Sequence, residues 1–401
     1  MNSISGRHFL QIPGPTNVPD KVLRAMDRAT MDHRGPTFAR LGLRVLENIR
    51  LIFKTESPVV IFPSSGTGAW EAALVNTLNP GDRVLMYETG HFASLWREMA
   101  KRLGLEPEFI PGDWRSGVDA GAIETRLNDD RAQAIKAVCV VHNETSTGVT
   151  SNIQAVREAI DRAGHRALLL VDTISSLGSI DYRHAEWGVD VTVGGSQKGL
   201  MLPPGLGFNA VSGKALAAAE AAGLARSYWD WRPMLAANAK GFFPYTPATN
   251  LLYGLDTSLE MLLGEGLDNV FARHDRFAAA TRLALAAWGL ENLCASGEYS
   301  SSLTAVLMPA GHSADHLRKV VLERFDMSLG SGLSKVADKV FRIGHLGDFN
   351  DLSLLGTLSG VEMGLQIAGV PASTGGVTAA MAFLADTEKL RAQGLLPNVE
   401  A

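Results

Sequence analysis

The sequence predicts an α/β protein, with a large domain built on a mostly parallel sheet and a smaller α+β C-terminal domain. Three observations carry this expectation. Short apolar runs alternate with segments of helical period through about residue 260, the pattern of strands covered by helices on both faces. Several of those runs are apolar throughout instead of alternating, as in strands buried on both sides. The chain of 401 residues also exceeds what one hydrophobic core usually serves, so two domains are expected.

The elements follow in order. Candidate strands lie at 58–62, 83–86, 107–110, 136–141, 167–171, 189–193 and 207–211. Candidate helices lie at 20–28, 37–53, 68–78, 92–103 and 153–163. Near Pro244 the pattern changes. Two long helix candidates, 249–263 and 270–288, precede strand candidates at 303–308 and 339–343 and helix candidates at 352–367 and 377–390. The expected division is 1–262, a large domain with an N-terminal arm, and 263–401, the small domain.

Composition narrows the classes of function. The net charge is -5 and no stretch concentrates Lys and Arg, which argues against nucleic acid and anionic membrane as partners. The two cysteines, Cys139 and Cys294, form no CxxC pair and no disulfide framework. Cys139 falls inside the apolar run 137–141 and reads as core packing. The segment 1–11 has no apolar signal-peptide core, no run approaches a bilayer span, and the last residues are not a peroxisomal address. A cytoplasmic protein is expected.

The chemistry is sought where strands end. Gly194-Gly195-Ser196-Gln197-Lys198-Gly199 places a lysine in a glycine-rich turn after a short apolar strand. A lysine without bulky neighbours leaves room for a planar ligand, and a desolvated amine can form a Schiff base with a carbonyl. Read alone, it is more readily a solvated turn lysine. Asp172 ends an apolar run 26 residues earlier. A carboxylate there is costly unless it meets a cation, and the carboxyl ends of parallel strands are where ligands bind in open α/β sheets. The alternative is a helix N-cap or a salt-bridged aspartate. Pro63-Ser64-Ser65-Gly66-Thr67-Gly68 joins a strand to a helix, so its hydroxyls and free N–H groups suit a phosphate. It is neither a Walker loop nor G-x-G-x-x-G. A cationic ring nitrogen, a carbonyl and a phosphate together describe pyridoxal 5'-phosphate (PLP).

Arg342, in the apolar run 340–343, suits a substrate carboxylate, or else is a surface arginine on an edge strand. His312 and His316 are spaced i, i+4 but lack a third ligand, so no metal site is expected. Gly194-x-Ser196 starts like a nucleophile elbow, but Lys198 occupies the place of its last glycine.

With these residues placed, the chain resembles the class V, fold-type-I PLP-dependent aminotransferases of the alanine/serine–glyoxylate group, most closely its serine–glyoxylate members. The likeness runs from Pro13 to about Gly376. It rests on Pro13-Gly14-Pro15-Thr16-Asn17, Asp32-His33-Arg34, Gly66-Thr67-Gly68 and His142-Asn143-Glu144-Thr145-Ser146-Thr147-Gly148. It continues in Gly195-Ser196-Gln197-Lys198, Pro244-Tyr245-Thr246-Pro247 and Phe341-Arg342-Ile343-Gly344-His345-Leu346-Gly347.

The resemblance implies roles residue by residue. Ser65, Gly66, Thr67 and Gln197 would bind the cofactor phosphate, Phe92 would stack on the ring, and Thr145 would bond its hydroxyl. Asp172 would hold the ring nitrogen. Lys198 would carry the cofactor and later act as general base. Arg342 would clamp the substrate carboxylate. Thr246 would reach the phosphate from the other subunit of a homodimer. Phe243 departs from relatives that carry a phosphate-touching tyrosine there, leaving that contact to Tyr245 and Thr246 or to a loop placed differently. The implied reaction is transamination between L-serine and glyoxylate. Alanine and aspartate are rival donors, with Arg34 a candidate cation for an aspartate side chain. A cysteine desulfurase would need a reactive cysteine within 328–339, where there is none. A PLP-binding regulator would need a DNA-binding appendage, and nothing resembles one.

Overall fold

The computed structural model describes residues 6–295 and 297–396. Seven strands form the large sheet, in the order Val59–Ser64, Gly205–Val211, Val191–Gly195, Leu168–Asp172, Ile135–Val141, Arg83–Tyr87, Glu106–Ile110. The five strands from Val191–Gly195 to Glu106–Ile110 are parallel neighbours. Gly205–Val211 runs antiparallel to both of its neighbours. Leu168–Asp172 and Val191–Gly195 are buried at every residue, because helices cover both faces. Separate apolar cores fill those faces. Trp70, Trp96 and Trp231 anchor one, and Ile123, Val156 and Tyr182 lie in another.

The small sheet runs Phe9–Gln11, Met327–Ser331, Val340–Gly344, Leu303–Leu307, Glu291–Asn292. Its first strand comes from the N-terminal arm and pairs in parallel with Met327–Ser331. The chain that leaves this strand, 12–17, crosses toward the large sheet. Residue 262 lies within the helix Thr249–Glu265, and Gly266 separates that helix from Leu267–Trp288. No helix among the described residues is long and apolar enough to cross a membrane.

Several expected elements need correction. The segment 377–390 is two helices, Gly376–Ala385 and Thr387–Ala392, not one. Asp386 leaves helical geometry, and its side chain accepts from the Lys389 N–H, so it caps the second helix. Helices Ala120–Asp129, Gly213–Ala221, Trp231–Asn238 and Ala314–Phe325 were not expected, and neither were strands Phe9–Gln11 and Met327–Ser331. The histidine pair does not share a helix face. His312 lies in a turn closed on Pro309, whereas His316 sits in the first turn of Ala314–Phe325 under a Ser313 cap.

Candidate active site

Three strands of the large sheet, Val59–Ser64, Leu168–Asp172 and Val191–Gly195, deliver their carboxyl ends to one cavity of about 210 Å³. Ser65, Gly66, Thr67, Phe92, Thr145, Asp172, Gln197 and Lys198 all line it. Eight of the twelve residues singled out in the sequence are thus brought together. Arg342, Arg34, Tyr245 and Thr246 do not line it.

Lys198 lies two residues beyond its strand's last turn-forming serine and is only 8% exposed. The solvated-turn alternative therefore fails. Burial draws its amine down to about 7, Arg342 adds to the fall, and Asp172 and Glu144 oppose it. Its Nζ donates to the Pro13 carbonyl. The crossing segment is tied to this turn twice more, by Thr16 N–H to the Gln197 carbonyl and Thr16 Oγ1 to the Lys198 carbonyl. Gly14 has φ +113°, and a Cβ there would stand 2.4 Å from the lysine Cδ. Only glycine fits both the backbone and the space. The Pro13-Gly14-Pro15 motif, to which no role had been given, thus forms the cover over Lys198.

Asp172 is 3% exposed. Burial pushes its carboxyl up to about 7, against a hydrogen bond from Ile174 N–H to Oδ1 (2.6 Å) and one from Trp70 Nε1 to Oδ2 (3.0 Å). Burial thus works against the charged form of this carboxyl even with Lys198 nearby, and a cation set against it would favour the charge.

Gly66 and Thr67 open the helix Gly66–Thr77, whose N-cap Ser65 makes no side-chain capping bond. The first N–H groups of a helix have no partner within it. A Cβ on Gly66 would strike Ile174 Cδ1 at 2.3 Å, so the loop needs glycine to sit this close to the strand end. By the same strand end, Gln197 Oε1 is buried without a hydrogen-bond partner.

A fully buried carboxylate, Glu144, stands behind the wall that carries Phe92 and Thr145. It accepts from the N–H groups of Phe92 (3.3 Å), Ala93 (3.1 Å) and Ser146 (3.0 Å) and from Ser146 Oγ (2.6 Å). Ser146 Oγ in turn accepts from His91 N–H. Glu144 therefore caps the helix His91–Arg102 from the neighbouring hairpin, where a negative charge is favoured.

Arg342 is not an edge-strand surface residue. Its strand is central in the small sheet, and the side chain is buried. Nη1 donates to the Thr145 carbonyl (2.8 Å) and Nε to the Ser331 carbonyl (2.7 Å), which sets it directly behind the Thr145 wall. Burial lowers its guanidinium to about 10, with Glu144 opposing and Arg318 adding to the drop.

Tyr245 stacks on Tyr228 with ring centroids 4.4 Å apart, and its hydroxyl is buried without a partner. Thr246 and Arg34 are exposed. Phe243 packs edge-on against Phe38, so its ring has an apolar setting that requires no hydroxyl. Trp70, Asn143 and Ile174 also line the cavity and escaped the sequence reading. Trp70 carried one usable signal, since it falls one helical turn beyond Gly66. Among the described residues, no group of three or more His, Cys, Asp or Glu could hold a metal.

The donor set fits PLP on structural grounds. An under-charged buried carboxylate suits a ring cation, free helix-end N–H groups and hydroxyls suit a phosphate, and a desolvated amine suits a carbonyl. A buried Lys–Asp pair at the carboxyl ends of parallel strands defines the class as a PLP-dependent enzyme.

The sequence profile of the aminotransferase class V family matches residues 8–345, and the chain belongs to that family. It is thus a PLP-dependent aminotransferase. It is 50% identical over 395 residues to a serine–glyoxylate aminotransferase of Methylorubrum extorquens, covering 96% of this chain and 98% of the relative. It is 48% identical over 373 residues to an L-aspartate–glyoxylate aminotransferase of Paracoccus denitrificans, covering 92% and 94%. The crystal structure of ureidoglycine–glyoxylate aminotransferase from Bacillus subtilis superposes with a TM-score of 0.89 at 26% identity, covering 96% of this chain and all of that one.

Proposed function

We propose that the protein moves the amino group of L-serine to glyoxylate, giving hydroxypyruvate and glycine. The observation that carries this reading is the lining of the cavity. Apart from Lys198, which would hold the cofactor, no Lys or Arg among the described residues lines it, and Arg342 behind the Thr145 wall already donates to two backbone carbonyls. That arrangement suits a donor with one carboxylate and a small uncharged side chain. The names of the serine–glyoxylate relatives point the same way.

PLP, when bound, supplies the electron sink for the bond that breaks at the substrate Cα. Ser65, Gly66, Thr67 and Gln197 would hold its phosphate, Phe92 its ring face, Thr145 its hydroxyl and Asp172 its ring nitrogen. Lys198 would hold it through Nζ. An amine near neutral pKa both gives and takes a proton, so Lys198 is suited to carry the Cα proton as general base and acid. Arg342 would orient the substrate carboxylate through its remaining N–H groups. Pro13 and Gly14, packed on Lys198, would keep bulk water from the amine.

Tyr245 and Thr246 take no part in this chain's cavity, which supports a homodimer in which each subunit completes the other's phosphate site. Sedimentation of the holoenzyme should give twice the chain mass; a catalytically active monomer would remove Thr246 from the site.

L-Aspartate as donor is the second reading, favoured by the similarity to the Paracoccus enzyme. Arg34 would then supply the second cation, and L-alanine is a third possible donor. Steady-state kinetics with serine, alanine and aspartate against glyoxylate decide among them. Serine should give the highest kcat/KM, and a clear preference for aspartate or alanine would overturn the serine assignment.

A further inference from the structure

We propose that Trp70 is a positioning residue whose indole N–H keeps the Asp172 carboxylate charged and fixed in place for the cofactor's ring nitrogen. The proposal rests on the reading of Asp172 given above. Among the described residues, Asp172 receives two hydrogen bonds, one on each oxygen. One comes from the Ile174 backbone, which local chain geometry places. The other comes from Trp70, the only side chain that donates to it, 102 residues away in sequence.

The indole is well suited to this task. It donates and cannot accept, and it does not titrate, so it favours the charged carboxylate at any pH. A histidine or tyrosine in its place could exchange protons with the acid. The need is concrete, because burial alone drives this carboxyl toward neutrality. A neutral acid would offer the ring nitrogen no negative partner.

The ring is also held. Trp70 and Trp96 are both buried and stack with centroids 5.8 Å apart and planes 13° apart. Trp96, on the helix His91–Arg102, leaves its own Nε1 buried without a partner. The two indoles therefore share one stack, but only Trp70 reaches the cavity wall and spends its N–H on Asp172. This difference supplies an internal control.

The test titrates cofactor-free wild-type, Trp70→Phe and Trp96→Phe proteins with PLP, following the visible band across acidic to alkaline pH. Trp70→Phe keeps the stack and removes the N–H. It should raise the PLP dissociation constant roughly ten- to a hundred-fold at neutral pH, the usual value of a hydrogen bond to a charged group. The acid limb of binding should also move to higher pH, because Asp172 then protonates more readily. Trp96→Phe should leave both quantities unchanged.

Unchanged affinity and pH dependence in Trp70→Phe would overturn the inference. Equal shifts in both variants would do the same, since they would mark a packing effect. In the unmutated protein, the indole N–H resonance of Trp70 should move as Asp172 titrates and again on adding PLP. A Trp70 resonance indifferent to both overturns the inference without any variant. Wild-type protein that binds no PLP would fail earlier, at the reading of the site itself.

Discussion

The floor of the cavity and the loops that carry the predicted residues outside it are built on different principles. On the floor, Asp172 ends one strand, Lys198 lies in the turn just beyond the adjacent one, and Trp70 reaches Asp172 from the first turns of a helix. These groups are buried, and their partners come from the same chain. Outside the cavity, Thr246 and Arg34 lie exposed on loops, and the Tyr245 hydroxyl is buried without a partner. Groups that must hold sub-ångström geometry sit where the sheet fixes the backbone. The groups that the proposed homodimer would assign to the other subunit's site sit instead on exposed loops.

The sharpest way to break this contrast is on the floor. Lys198→Ala should reduce transamination to background while PLP is still drawn to the phosphate site; appreciable turnover would remove Lys198 from the chemistry. Glu144→Gln comes next. It replaces a buried acceptor of four hydrogen bonds by a group that must aim N–H donors at N–H donors. PLP affinity should fall about ten-fold or more, with a lower melting temperature. Unchanged PLP binding would make Glu144 a helix cap and nothing more.

A smaller effect comes from histidines away from the floor. Burial holds His142 and His184 down at about 4 and His274 and His345 at about 3, against an ordinary 6.5. Below pH 6.5 the unfolded chain takes up protons that the folded one refuses, so stability should fall as pH drops from 6.5 toward 4. The slope is on the order of 1 kcal/mol per pH unit for each histidine. Denaturant midpoints that stay flat over that range would contradict the burial argument. The smallest effect belongs to the exposed loops. Thr246→Val should weaken PLP up to about ten-fold, the low end for a hydrogen bond to a charged group, because this hydroxyl is solvated. That weakening should disappear on dilution to monomer, and a concentration-independent effect would place Thr246 in its own chain's site.

The same contrast explains what the sequence made legible. The seven strands of the large sheet were legible, the inner ones as unbroken apolar runs because they are buried on both faces, while the edge strand Glu106–Ile110 is only partly buried and carries Glu108. Asp172 and Lys198 were legible for the same reason, as polar residues terminating such runs. The three-residue strand Phe9–Gln11 was not, since so short a run carries no period and exists by pairing with Met327–Ser331. Trp70 reads in sequence as one more apolar residue on a helix. Its N–H matters only because the fold brings Asp172 to it. Glu144 passed as part of a motif, and its work at the start of a helix some 50 residues earlier is set by the hairpin Asn143–Glu144 with Val149–Thr150. Arg342 was left between an anion clamp and an edge-strand arginine, because strand order, which places it centrally, is not written locally.

The most direct measurement is a visible absorbance titration of the purified protein loaded with PLP, first with L-serine alone and then with glyoxylate. The expected result is a cofactor band that fades with serine and returns with glyoxylate, with Lys198→Ala showing neither change. A protein that stays colourless after PLP is supplied, or a band that neither substrate alters, would contradict the account at its centre.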